Sequence, residues 1–239
     1  MSKNGAGKTA AEILGVPEEP KNSRDRLIRR AIDLFYLHGF NAVGLDRILA
    51  EVGVTKTTFY KHFQSKDDLM VQAVRTRDRW EAEAWGRALV ARAGDDPRGQ
   101  LLVLFDVLHE WFNADDFHGC IFINTAAEFP NPNDPVHQAA AEHKKQSRMN
   151  YRDLARAAGA ADPEQFADLY TLLVEGTLIL RQVHGRDDAA VVAKRLAQQL
   201  IEQHVPAPGT KPPVKKRTPA PAALSAASPV ASAGTVGEG

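Results

Sequence analysis

Residues 53–69 read "GVTKTTFYKHFQSKDDL" and gather an unusual number of hydroxyls and cations into one short stretch. Thr55, Lys56, Thr57, Thr58, Tyr60, Lys61 and His62 follow one another closely, with Lys66 just beyond. That set contains no pair of carboxylates for acid–base work and no nucleophile relay. Hydroxyl donors and ammonium groups of this kind suit phosphate oxygens and base edges. The chemistry expected here is recognition of a polyanion.

Other stretches that hint at chemistry are weaker. "NGAGKT" (residues 4–9) resembles the end of a phosphate-binding loop, but the full G-x-x-x-x-G-K-[ST] pattern needs glycine where Ser2 stands. "HEWFN" approaches the zinc motif H-E-x-x-H, yet Asn113 replaces the second histidine of the pair begun by His109. His137 and His143 are six apart and do not share a helical face. No G-x-S-x-G elbow is present. No catalytic residue, metal site or cofactor is expected.

The stretch must be held by helices. Ile28, Ala31, Ile32 and Phe35 recur at helical spacing up to Gly39. A short helix from Leu45 to Val52 stops at Gly53, and another runs from about Thr55 to His62. Helix, glycine break and short helix form a helix-turn-helix pattern, whose second helix enters the major groove. Thr55 suits the N-cap. Phe59 and Phe63 should turn inward toward Phe35 and Ile48, leaving Lys56, Thr57, Tyr60 and Lys61 outward.

Beyond it, Lys66 opens a helix running to near Gly94, and Asp96-Pro97 opens another. "FPNPNDP" (residues 129–135) is a loop, residues 136–158 are polar and helical, and Asp162-Pro163 starts a strongly apolar helix. Ala189, Val192, Ala193, Leu196 and Leu200 line the last helix. The fold class is all-α: an N-terminal three-helix helix-turn-helix domain plus a larger helical dimerisation and effector domain. The divisions expected are 1–21, a flexible arm; 22–70, the DNA-binding domain; 71–204, the effector-binding and dimerisation domain; and 205–239, a disordered tail holding seven prolines. The tail's "KPPVKKR" cluster reads as a solvated segment that could also touch phosphates loosely.

Composition sets bounds on the rest. The 239 residues carry 30 basic and 30 acidic side chains, so affinity for nucleic acid must come from a local patch. Cys120 is the single cysteine, which excludes an intrachain disulfide and suits a reducing cytoplasm. No apolar run approaches the roughly 20 residues of a membrane span. No secretory leader is expected, since the first residues lack an apolar core.

"AIDLFYLHGFNAVGLDRILAEVGVTKTTFYKHFQSKDDLM" combines F-x-x-x-G-F, I-x-x-x-x-G-V, T-x-Y-x-x-F and S-K-x-x-L. On these motifs residues 24–70 resemble the DNA-binding domain of the TetR family of one-component bacterial regulators. The resemblance implies that Tyr60 and Lys66 clamp phosphates and that Lys56, Thr57, Lys61 and His62 lie against the groove, with Thr55 and Thr58 in the same helix. Val43-Gly44 departs from the hydroxyl residue common at that point, so a cap and a phosphate contact at Gly44 are in question.

The family further implies a homodimer, formed by the last two long helices and reading a palindromic double-stranded operator, and a small-molecule effector. "GCIFINTAAEF" (residues 119–129) resembles a segment of one subgroup. Aromatic residues between the Pro97 and Pro163 helices accompany a small polar set, a composition that fits either an aromatic core or a ligand pocket. With the resemblance favouring a pocket, the expected effector residues are Trp111, Phe112, Cys120, Asn124, Glu128, Tyr151 and Glu175. Cys120 follows Gly119 at a helix start, where the helix dipole would favour a reactive thiolate; a buried, inert thiol is the plainer reading. The function expected is a ligand-responsive repressor. Its alternative is a dimeric helical enzyme or a nucleoid-type binder without effector control.

Overall fold

The computed structural model describes residues 8–15, 17 and 19–206, and it begins with a helix inside the segment expected to be a flexible arm. In α1 (Ala10–Leu14) the Thr9 hydroxyl accepts the Glu12 amide, while the Glu12 carboxylate accepts the Thr9 amide at 2.6 Å. This reciprocal cap closes a helix too short for periodicity to reveal. Ile13 and Leu14 are buried, and Asp116 accepts the Ala10 amide at 2.7 Å. Most of "NGAGKT" and the whole "KPPVKKR" cluster lie outside the described residues.

Asn22 accepts the Asp25 amide to open α2 (Ser23–His38), which ends at Gly39 with φ +86°. Next come α3 (Leu45–Val52), α4 (Lys56–Tyr60) and the long α5 (Lys66–Ala93), the last capped by Ser65. Asp96 caps α6 (Pro97–Phe112), with proline at its first position as the missing amide proton permits. The short α7 (Ile121–Glu128) follows, then α8 (Pro135–Ala157), α9 (Pro163–His184) and α10 (Ala189–His204). "FPNPNDP" is a loop as far as Asp134, and its last proline starts α8. All ten elements among the described residues are helices.

One core runs through the molecule. At the N-terminal end α2, α3 and the start of α5 enclose Phe35, Phe40, Ile48, Phe59 and Phe63, all essentially buried. Further on α5, α6, α8, α9 and α10 pack around Phe105, Phe112, Phe122, Phe166 and Tyr170. The Tyr170 hydroxyl, the polar tip of a buried ring, donates to the Leu101 carbonyl.

Candidate nucleic-acid interface and effector cavity

Gly53 sets the angle between α3 and α4. It adopts the left-handed conformation (φ +72°), and its amide returns to the Leu49 carbonyl at 2.9 Å. Thr55 then caps α4 by accepting the Thr58 amide. Phe59 stacks on Phe63 with ring centroids 5.3 Å apart and is fully buried, which fixes the rotation of α4. Lys56, Thr57, Tyr60, Lys61 and His62 consequently face outward, with Tyr60 59% exposed. Thr58 is half-buried.

Three of the expected side chains have protein partners. Lys56 pairs with Asp46 on α3 at 2.9 Å, and His62 meets the Ser23 hydroxyl at 3.0 Å. Lys66 is half-buried and donates to the Phe40 carbonyl at 2.9 Å, so its ammonium spans the start of α5 and the α2–α3 connection. Gly44 is the N-cap of α3 and makes no side-chain cap; a Cβ there would meet nothing within 4 Å. Glu51 receives Arg30 and Arg47, whose hydrogen bonds hold its carboxyl below the usual range and brace α2 against α3.

A cavity of about 270 Å³ lies among α5, α6, α8 and α9. Leu89, Leu104, Leu108, Leu154, Val174 and Leu178 supply apolar wall, and Trp85 meets Trp111 edge-on at 5.8 Å. Its charged groups are paired. Lys144 donates to both oxygens of Glu175 at 2.9 and 3.0 Å, His143 meets Asp78 at 2.7 Å, and Arg77 holds Glu81 at 2.6 Å. Burial alone would lower the Lys144 ammonium, but the neighbouring Cys120 and Glu175 outweigh it and keep it above its ordinary value. His143 also stacks on Phe122 at 3.5 Å.

Of the seven residues expected around an effector, Trp111, Cys120, Tyr151 and Glu175 line this cavity. The other three do not. Phe112 is fully buried in the core, and Arg181 donates to its carbonyl. Asn124 is bonded to Gln182 and to the His118 carbonyl. Glu128 reaches away from the cavity toward α2. At Cys120 the structure favours the plainer reading of a buried thiol over the reactive thiolate. The residue does precede α7, but burial pushes its thiol up, since a few tenths of a charge at a helix end cannot offset loss of solvent. Sequence reasoning missed the contributions of α5 and α8, namely Asp78, Glu81, Trp85, His143, Lys144, Ser147 and Asn150.

The short α7 joins the two regions. At its start the Cys120 amide donates to Gln182 on α9 at 3.1 Å. Gly119 adopts φ +87°, a left-handed conformation that favours glycine, and a Cβ there would also press on the Gln182 amide group at 2.7 Å. At its end the Glu128 carboxylate accepts the Phe40 and Asn41 amides at 2.9 and 2.8 Å, and Phe129 abuts Phe40 edge-on at 5.9 Å. Phe40 thus takes Glu128 on its amide and Lys66 on its carbonyl.

A helix-turn-helix with an outward cationic helix, joined to a larger all-α body, defines a DNA-binding transcriptional regulator. Residues 27–73 match bacterial regulatory proteins of the tetR family, and residues 97–197 match the tetracyclin repressor-like C-terminal domain. The chain belongs to the TetR family. It is 25% identical over 179 residues to the HTH-type transcriptional regulator YjdC of Escherichia coli, covering 74% of this chain and 93% of that one. A TetR-family transcriptional regulator from Streptomyces coelicolor superposes with TM-score 0.67 at 27% identity, covering 76% of this chain and 95% of that one. A second structure, from Streptomyces avermitilis, shares the fold with TM-score 0.65 at 24% identity, covering 77% and 98%. The family and these relatives are transcriptional regulators, not enzymes; TetR-family proteins bind DNA and act as dimers. Among the described residues no helix is long and apolar enough to cross a membrane.

Proposed function

We propose that this regulator is a cytoplasmic repressor that binds a palindromic operator as a homodimer and leaves it when a small organic effector fills the α5–α9 cavity. In this reading residues 22–70 are the reading head and residues 71–204 the effector and dimerisation body. Thr55, Lys56, Thr57, Thr58, Tyr60, Lys61, His62 and Lys66 meet the DNA, the backbone at Gly44 facing phosphate without a side-chain cap. The observation that carries the proposal is α7, anchored beside the cavity at Cys120 and holding Phe40 and Asn41 through Glu128. An effector that displaces the cavity wall moves α7 and, through Glu128, the connection that orients α3 and α4. Its differential affinity for the two arrangements must supply the whole shift.

The test is binding of the pure protein to DNA flanking its own gene, followed by titration with small organic molecules. Binding to one palindrome at nanomolar protein, with release by a molecule that is recovered unchanged, is expected. Sequence-independent binding that no ligand alters would overturn the reading in favour of a nucleoid-type binder.

A further inference from the structure

We infer that the effector is an uncharged organic molecule with an apolar body and a carbonyl-type acceptor oxygen, held by hydrogen bonds from Trp111 and Tyr151. This rests on the cavity being the effector site.

The cavity's charges leave no opening for an ionic ligand. Asp78 is taken by His143, Glu81 by Arg77, and both oxygens of Glu175 by Lys144. A carboxylate entering would have to take Lys144 from Glu175, and an amine would have to take Glu175 from Lys144. Either exchange gives up a two-oxygen ion pair, only a quarter to a third exposed, to form one that is no better, so an ionic ligand gains little. A carboxylate would also join three acidic groups already at the wall.

What two neutral donors of the wall lack is an acceptor. Trp111 is only 5% exposed, yet its Nε1–H has no acceptor among the described residues. A buried donor without a partner is uncommon and calls for a ligand or a water. Tyr151 lines the same cavity, and its hydroxyl makes no hydrogen bond among the described residues. Burial pushes that phenol well above its usual range, so it remains a donor at every physiological pH. Two neutral donors against Leu89, Leu104 and Leu108 match a ketone, ester or amide oxygen on an apolar frame.

Four probes of one shape separate the possibilities: 2-acetonaphthone, 2-naphthoate, 2-naphthylmethylamine and 2-ethylnaphthalene. Calorimetric titration of the full chain should show the ketone binding roughly tenfold or more tightly than the other three. Tyr151→Phe, which removes only the hydroxyl, should weaken the ketone about threefold to tenfold and leave 2-ethylnaphthalene unchanged. Trp111→Phe should do the same, with unchanged helical circular dichroism as the control for folding. Tightest binding by the carboxylate or the amine, no binding by any probe, or a ketone affinity indifferent to Tyr151→Phe would each overturn the inference. Operator release is read separately. A ketone that binds with this selectivity yet leaves DNA bound supports the ligand class and defeats the ligand-responsive reading; release by the carboxylate alone does the reverse.

Discussion

At the scale of single residues, the outward side chains of α4 divide by what already holds them. Lys61 has no ion pair among the described residues, whereas Lys56 is tethered to Asp46 and Lys66 to the Phe40 carbonyl. Lys61 therefore tests phosphate binding without disturbing the fold. Lys61→Ala is expected to weaken all DNA sequences about equally and to lower the slope of log affinity against log salt by roughly one. Thr57→Ala should instead change base preference, by about 1–3 kcal/mol at one position of the half-site. Anisotropy titrations at several salt concentrations decide the matter; an unchanged slope for Lys61→Ala would show that α4 is docked otherwise. These residues were legible because Phe59 and Phe63 fix the rotation of α4 by simple helical spacing. The cavity residues were only partly so. His143, Ser147, Asn150 and Leu154 recur at helical spacing along α8, and Glu81 and Trp85 do so along α5. A polar stripe facing a cavity has the same periodicity as one facing water, so spacing alone cannot tell them apart.

Among the elements, the long helices declared themselves from the sequence: Lys66, Asp96-Pro97 and Asp162-Pro163 each stand at an observed helix start. Two short helices, α1 and α7, were harder. Five residues of α1 give no period, and its Thr9–Glu12 cap sits inside a glycine- and proline-rich context. Cys120 starts α7 without a side-chain cap, so the role of that helix depends on what surrounds it. There Glu128 acts at a distance in sequence, reaching 88 residues back to the Phe40 amide. Glu128→Ala removes two charge-assisted hydrogen bonds and should destabilise the fold by about 2–3 kcal/mol, read from the denaturation midpoint. More specifically, hydrogen exchange at the Phe40 and Asn41 amides should quicken, and effector-driven release of operator should be blunted while effector binding persists. If release were as steep as in the unaltered protein, the signal would have to travel by the α5 backbone and not through α7.

For the whole molecule, the outer faces of α9 and α10 demand a partner. Leu169, Leu172, Gly176, Ile179 and Val183 alternate at spacings of three and four along α9, and Leu172 and Val183 are 72% and 69% exposed. On α10 Val192 and Leu196 continue the apolar surface, with Leu196 52% exposed. Three-four spacing is the pattern that packs helices at about 20° to one another, as in four-helix bundles. Gly176 lies mid-stripe with open space where its Cβ would be, so a second helix can approach closely there. We expect two copies to pair through residues 163–203, placing the two α4 helices on half-sites roughly 34–36 Å apart or a multiple of that. Gly176→Trp fills the gap, and Leu172→Glu sets a carboxylate in the seam. Neither touches the internal core, so both chains should remain helical while sedimenting as monomers at micromolar concentration. A single reading head makes too few phosphate contacts for tight binding, so operator affinity should fall at least a hundredfold, about 2.7 kcal/mol, in both variants. A wild-type monomer with full operator affinity would overturn this arrangement. Loss of affinity by the variants while they remain dimeric would place α9 in signalling and not in assembly.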